Sequence, residues 1–172
     1  MSDVFYLRSI DPPITPEDVV LTAEAGGCFD LHRVNWKQSF LSADGGRMLC
    51  WYEAPDTESA RVALRQLKAN LEGVWPGTVT HRNGAAAPAL SEANFVAELR
   101  LPDAQARSLE SVATALEQED AALVRGFVSL REPTAVCIVR APSDGAVRAA
   151  LARTDARADA VWACTPITPA VR

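Results

Sequence analysis

The feature that most constrains the fold of this chain is an internal repeat, in which residues of the first half recur 87 positions later without a gap. The matches extend over a hairpin, a helix start and a later strand, so coincidence is a poor explanation. The matching positions are Phe40 and Phe127, Ser42 and Ser129, Cys50 and Cys137, Ala54-Pro55 and Ala141-Pro142, Arg61 and Arg148, and Val74-Trp75 and Val161-Trp162. We therefore interpret the chain as a tandem duplication.

The sequence pattern of each half predicts the same order of secondary-structure elements, β-α-β-β-α-β. In the first half these are a strand at 4–10, a helix from Thr15 that breaks at Gly26-Gly27, a hairpin at 34–54 with its turn at 43–46, a helix from Asp56 to Gly73 and a strand at 74–81. In the second half they are a strand at 95–101, a helix from Asp103 to about residue 119, strands at 123–129 and 135–139, a helix from Ser143 and a strand that contains Val161-Trp162. The order predicts an α+β fold of two tandem ferredoxin-like units.

The predicted domains are a first unit at residues 1–81, a Gly- and Pro-punctuated linker at 82–93, and a second unit at 94–172. Apolar residues alternate onto both faces of the central strands, at 48–52 and again at 135–139. Such strands are covered on both sides, so we expect the two sheets to pack face to face as an intramolecular pseudo-dimer or barrel. A ligand would then fit in the cleft between the sheets.

Charge and composition narrow the classes of partner. With 17 basic and 22 acidic residues the net charge is -5, which disfavours nucleic acid. No apolar run is long enough to cross a membrane and no signal segment begins the chain, so we expect a cytoplasmic protein. The four cysteines are widely spaced, which indicates reduced thiols rather than a disulfide framework or a zinc ribbon. A homo-oligomer stays open, since a duplication can replace a dimer or build a larger assembly.

The hairpin of the first half carries a recognisable motif. Residues 39–56, S-F-L-S-A-D-G-G-R-M-L-C-W-Y-E-A-P-D, resemble the hairpin signature of a bacterial family of uncharacterised small ferredoxin-like domains that includes a nickel-binding protein. The shared positions are Trp36, Ser39, Ser42, Asp44, Gly45, Cys50, Tyr52, Glu53, Ala54, Pro55 and Asp56, with Arg8 in the first strand. The resemblance covers residues 3–81, and it implies a ferredoxin-like fold and binding of a small ligand or of nickel.

The chain departs from this family pattern at several polar positions. Phe40 stands where the family has tyrosine, and the second half has Arg131 in place of Asp44 and Arg140 in place of Glu53. The second half also lacks counterparts of Ser39 and Tyr52. We therefore expect the first half to keep a polar site, and the second to be a degenerate structural copy.

The candidate ligand-binding residues are Arg8, Ser39, Cys50, Tyr52 and Glu53. Cys50 and Glu53 lie three apart on a strand and so point to opposite faces, which weakens a joint metal site. Because Cys137 survives in the degenerate half, we favour a buried structural thiol for Cys50. Glu53 is placed either to form an ion pair with Arg8 or to bind a ligand.

Two histidines are the remaining candidates for a metal. His81 at the end of a strand is a weaker candidate ligand, and His32 is weaker still. A nickel site would therefore need cysteine, carboxylate or water to complete it.

No motif of a hydrolase, nucleotide-binding protein or zinc protease is present. The leading hypothesis is a non-catalytic protein that binds a small ligand or a transition metal, with nickel implied by the resemblance. The alternative is a cofactor-independent oxygenase or isomerase of the dimeric α+β barrel type, with Glu53 or Cys50 as acid, base or nucleophile. A third class is an interaction module that uses an exposed sheet edge.

Overall fold

The structure is a computed structural model that describes residues 1–25, 27–81, 88–103 and 109–170. In this part of the chain, eight strands and five α-helices form an α+β fold, as predicted. The strands are β1 (Ser2–Ser9), β2 (Asn35–Ser42), β3 (Arg47–Ala54), β4 (Val74–Thr80), β5 (Phe95–Arg100), β6 (Ala122–Ser129), β7 (Thr134–Arg140) and β8 (Arg157–Ile167). The helices are α1 (Pro16–Glu24), α2 (Gly27–Leu31), α3 (Thr57–Gln66), α4 (Glu110–Glu117) and α5 (Asp144–Leu151).

The chain divides into two compact units. Unit 1 comprises Met1–Gly77 and Thr165–Arg172, and unit 2 comprises Thr78–Cys164. In unit 1 the antiparallel strand order is β4-β1-β3-β2. In unit 2 it is β8-β5-β7-β6, also antiparallel. The boundaries between the units fall inside β4 and inside β8, and not in the predicted linker, of which residues 82–87 lie outside the described part of the chain.

The offset of the sequence repeat reappears in the backbone. The bounds of β6 are those of β2 shifted by the same 87 residues. The predicted helix starts are also confirmed, since Asp56 and Ser143 each accept a hydrogen bond from the backbone N–H three residues later. Both hairpins have a register shift at the equivalent point, between Trp36 and Gln38 in unit 1 and between Leu123 and Arg125 in unit 2.

Helix starts were predicted better than helix ends. Thr15 caps α1 with a reciprocal capping box, and α1 ends at Glu24 before α2 begins at Gly27, so the predicted break occurs, although Gly26 itself is not described. The prediction that α3 runs to Gly73 is wrong. It ends at Gln66 because Lys68 adopts a left-handed φ of 59°, which a lysine does not signal in sequence. The predicted start of α4 at Asp103 is wrong, since α4 begins at Glu110 after the non-helical Leu109; residues 104–108 between them are not described.

The predicted hairpin turn is confirmed. Gly45 has a φ of 72° and its N–H donates to the Ser42 carbonyl. Asp44 accepts hydrogen bonds from the Ser42 hydroxyl and from the Gly46 N–H, so its carboxylate holds the turn. Within the described residues, no helix has the length and apolar character needed to span a membrane.

Candidate functional site

A cavity of about 80 Å³ lies in unit 1 between one face of the sheet and the helices α1, α2 and α3. Its walls are largely apolar and include Ile14, Val19, Phe29, Met48 and Leu64. These residues belong to the hydrophobic core of unit 1 or pack against it. The cavity is therefore a gap in a core that is otherwise filled, and it exceeds the roughly 10–15 Å³ that one water needs.

Most polar side chains of the cavity come from three neighbouring strands, and Thr22 comes from α1. Tyr6 and Arg8 lie two residues apart on β1, so they share a face of the sheet. The register places Tyr6 and Ser39 on either side of Cys50, and Tyr52 follows two residues later on β3. Four of the five predicted ligand-binding residues, Arg8, Ser39, Cys50 and Tyr52, therefore line one cavity.

A hydrogen-bond chain runs along one side of the cavity. The Trp36 indole N–H donates to Ser39 Oγ at 2.9 Å, and the Ser39 hydroxyl donates to Cys50 Sγ at 2.9 Å. Burial raises the pKa of the Cys50 thiol, and hydrogen bonds from Ser39 and Tyr52 and the charge of Arg8 offset part of that rise. Cys50 is therefore a buried, protonated thiol, as predicted, and not an activated nucleophile.

Two polar atoms of the cavity have no partner. Among the described residues, Tyr6 Oη and Arg8 Nε are the buried side-chain atoms that lack a hydrogen bond. Burial raises the pKa of Tyr6, and the neighbouring Arg8 counteracts this in part, with its Cζ 5.3 Å from the centre of the Tyr6 ring. The nearby charge of Arg8 favours the phenolate form of Tyr6. The Arg8 guanidinium is not in hydrogen-bond geometry with Tyr6 Oη, so the hydroxyl is unsatisfied. Such atoms are uncommon in folded proteins and call for a specific explanation.

The predicted ion pair between Glu53 and Arg8 is wrong. Glu53 instead accepts from Lys37 Nζ at 3.2 Å, with both side chains more than a third exposed. The register explains the error, because Arg8 lies opposite Met48 and Glu53 lies opposite Asp3, at the other end of the β1–β3 pair. Glu53 is thus outside the cavity, and a solvated pair of this kind contributes little stability.

The histidines do not build a metal site with the other candidates. His81 is exposed just after β4, and His32 shares a hydrogen bond with Gln66 at 3.1 Å. Within the described part of the chain, no three His, Cys, Asp or Glu side chains lie close enough together to hold a metal ion. The nickel site that the resemblance implies is therefore not supported by the arrangement of these residues.

An open groove of about 410 Å³ lies beside the cavity. The two spaces share Ala23, Phe29 and Trp36 as lining residues, and Pro169 lies on the outer side. Phe29 is buried, with its ring centroid 5.5 Å from that of Tyr52 and the two rings tilted by 47°, whereas Trp36 is half-buried. These two aromatic side chains therefore line both the cavity and the groove.

Unit 2 has the same framework without the polar cluster. The equivalent positions, given by strand register and the repeat offset, are Ala97 for Tyr6, Leu99 for Arg8, Leu123 for Trp36, Gly126 for Ser39 and Val139 for Tyr52. Cys137 keeps the place of Cys50, and burial alone raises its pKa to about 12. A Cβ at Gly126 would collide with the Leu109 side chain, which fills the space beside it. The polar groups are thus dispensable for the fold.

Two cavity residues were missed from the sequence. Tyr6 and Trp36 were assigned to a strand and to the hairpin motif, but not to the site. The period of two along β1 was the available signal for Tyr6, since a residue two positions from Arg8 shares its face. Trp36 had no such signal, because its direction depends on the register shift between Trp36 and Gln38.

Comparisons with known proteins show a likeness in fold. No family model matches the chain, and no curated protein does. Among solved structures, an anthrone oxidase-like protein matches 98% of this chain and 93% of its own, at 11% identity and a TM-score of 0.50. A mutant chlorite dismutase from Candidatus Nitrospira defluvii, in complex with cyanide, matches 95% of this chain and 89% of its own, at 13% identity and a TM-score of 0.52. At these identities the likeness is one of fold alone.

Proposed function

We propose that this chain is a duplicated ferredoxin-like protein in which unit 1 binds a small organic molecule and unit 2 is a non-binding copy. The observation that carries the proposal is the polar cluster of the unit 1 cavity, with Tyr6 Oη and Arg8 Nε buried and without partners. Ligand pockets are typically apolar cavities with a few convergent polar groups, which is the composition of this one.

The comparison between the two units supports this assignment. A polar group that served only the fold would be needed wherever the fold occurs. Unit 2 has alanine, leucine, glycine and valine at the positions of Tyr6, Arg8, Ser39 and Tyr52. Buried unsatisfied groups cost stability, so their presence in one unit alone points to a use in binding.

A second candidate is a cofactor-independent oxygenase or oxidase with its site in the same cavity. The fold similarity to an anthrone oxidase-like protein favours this class, and so do the two buried phenols. Burial raises the pKa of both Tyr6 and Tyr52, so each would remain protonated and able to donate a proton or a hydrogen bond to a substrate. Consumption of dissolved oxygen by the protein with phenolic substrates distinguishes an enzyme from a binding protein.

The test of binding uses a variant that fills the cavity. Ala69 lines the cavity, and Ala69→Leu should reduce its volume. The matched control is Ala149→Leu on α5 of unit 2, where the same three carbon atoms are added at a half-buried alanine. The probe is a mixture of short acids, phenols, amides and alcohols, followed by ligand-observed NMR.

We expect compounds that bind the wild-type protein to lose their signal with Ala69→Leu and to keep it with Ala149→Leu. Circular dichroism of each variant establishes that it is folded. Binding that survives Ala69→Leu in a folded protein, or the absence of any binding compound in the mixture, would contradict the proposal.

A further inference from the structure

We infer that the unit 1 cavity binds a carboxylate anion with a short apolar body, held by Arg8 and Tyr6. This inference rests on the proposed function and specifies its ligand class. It depends on the charge, the free donors and the walls of the cavity.

The charge of the cavity lining is positive. Among the described residues that line the cavity, Arg8 is the only one with a charged side chain. Several arginines elsewhere in the described part of the chain have carboxylate partners, as Arg100 has Asp159 and Arg140 has Glu92. Arg8 has no such partner, and its buried Nε has no acceptor at all. An anion in the cavity would supply both the missing charge and the missing acceptor.

The free donors are placed side by side. Tyr6 is 2% exposed and lies on the same face of β1 as Arg8, and the guanidinium carbon is 5.3 Å from the centre of its ring. Tyr6 Oη and Arg8 Nε can each donate one hydrogen bond. A carboxylate has two oxygens that accept, so one carboxylate can satisfy both donors.

The walls select the rest of the ligand. The side chains facing the polar cluster include Val19, Phe29, Leu64 and Leu67, and the volume of about 80 Å³ admits only a compact group. An inorganic oxyanion would lose its hydration on the apolar side without any compensating contact. A short alkyl or aryl body would bury apolar surface there, which is favourable.

Unit 2 lacks both elements of this recognition. Leu99 and Ala97 occupy the positions of Arg8 and Tyr6, so the equivalent space has neither the charge nor the hydroxyl. Unit 2 folds without an arginine and a tyrosine at these positions. The two side chains are therefore needed for anion recognition and not for folding.

The test is isothermal titration calorimetry on the full chain with acetate, butyrate, hexanoate and benzoate. The matched neutral probes are butyramide and benzamide, and inorganic phosphate and sulfate represent oxyanions without an apolar body. We expect butyrate, hexanoate or benzoate to bind, with the matching amide at least about tenfold weaker, because the amide lacks the charge.

Variants assign the interaction to its residues. Arg8→Leu, which copies unit 2, should weaken carboxylate binding by about ten- to a hundredfold, and Tyr6→Phe by about two- to tenfold. Arg8→Lys keeps the positive charge and replaces Arg8→Leu as the test if that variant does not fold. We expect its loss of carboxylate affinity to lie between those of the wild type and Arg8→Leu. The control is Arg65→Gln on α3, whose side chain is 62% exposed, and it should leave binding unchanged.

Three outcomes would overturn the inference. Amides that bind as well as carboxylates, with no loss in Arg8→Leu, would show a neutral ligand and leave the proposed binding function standing. Phosphate or sulfate binding without carboxylate binding would show a plain oxyanion site. Loss of all ligands in Ala69→Leu, together with carboxylate affinity unchanged in both Arg8 variants, would place the anion elsewhere in the cavity.

Discussion

Removing the hydroxyl of Tyr6 should stabilise the ligand-free protein, which is unusual for a change in a buried residue. Tyr6 Oη is buried without a partner, and an unsatisfied buried group of this kind costs about 1–3 kcal/mol. Tyr6→Phe keeps the aromatic ring that packs in the core of unit 1 and removes only the hydroxyl. Because the cavity has room for water near this atom, we expect the gain to be about 1 kcal/mol, at the low end of that range.

The matched control is Tyr52→Phe, the same chemical change two strand positions from Cys50 on β3. Unlike Tyr6 Oη, Tyr52 Oη is not among the buried atoms without a partner, and its hydrogen bond contributes to lowering the pKa of Cys50, so its loss should cost about 0.5–1.5 kcal/mol. Two identical substitutions on the lining of one cavity should therefore change the free energy of unfolding in opposite directions.

The assay is urea unfolding followed by circular dichroism, after dialysis that removes any bound ligand. For a chain of this length, a gain of 1 kcal/mol corresponds to a rise in Tm of about 2–4 °C, which a thermal scan resolves. If Tyr6→Phe lowers stability as much as Tyr52→Phe does, then the Tyr6 hydroxyl has a partner in the folded protein and is not a free donor for a ligand.

The remaining predictions concern the hairpin turn, the start of α2 and the second unit. Gly45→Ala should lower the free energy of unfolding by at least about 1 kcal/mol, because φ is positive there and a Cβ would collide with the Ile14 carbonyl. Gly27→Ala, where a Cβ meets no atom within 4 Å, should be neutral or stabilising in the same urea titration. Gly126→Ser places in unit 2 the residue that unit 1 has at position 39. It should cost about 1–3 kcal/mol because the added side chain collides with the side chains of Leu109 and Thr80, and a cost near zero would show that both side chains move aside freely. Hydrogen bonds from Ser42 and Gly46 lower the pKa of Asp44. Its contribution to stability is therefore present above the ordinary pKa of 3.8 and is lost as the pH falls through the lower folded value. In Asp44→Asn, a plot of the urea midpoint against pH should be flatter in this range.

The strands and the starts of α1, α3 and α5 were predictable because local chemistry decides them. The bounds of β3 matched the alternating run that ends at Pro55, and Thr15 and Asp56 cap the helices they were expected to cap. The end of α3 was not predictable, since Lys68 takes a left-handed conformation that its side chain does not favour. Local signals are strong where a residue type has a conformational preference and weak where tertiary packing overrides it.

The site shows the same division between local and non-local information. Alternation along β3 correctly separated Cys50 from Glu53 onto opposite faces. The expected pairing of Glu53 with Arg8 was wrong because cross-strand partners depend on register. Asp3, which lies opposite Glu53, is five residues from Arg8 along β1, a distance of about 17 Å. Sequence also could not show that Arg8 Nε and Tyr6 Oη lack partners, because that is a property of everything packed around them.

The two units share the cysteine of the hairpin motif and differ at its polar positions. Cys50 and Cys137 both lie at the centre of their sheets with pKa values raised by burial, one beside polar groups and the other among apolar side chains. A thiol that suits both environments acts as a small core side chain, so the cysteine shared by the two units is the least informative residue of the motif about function. Arg8 and Tyr6 are the reverse case, since each imposes a desolvation cost that the equivalent leucine and alanine avoid. On the proposed function, unit 1 is the unit that binds, and the positive charge of Arg8 with its unsatisfied Nε predicts that the ligand is an anion.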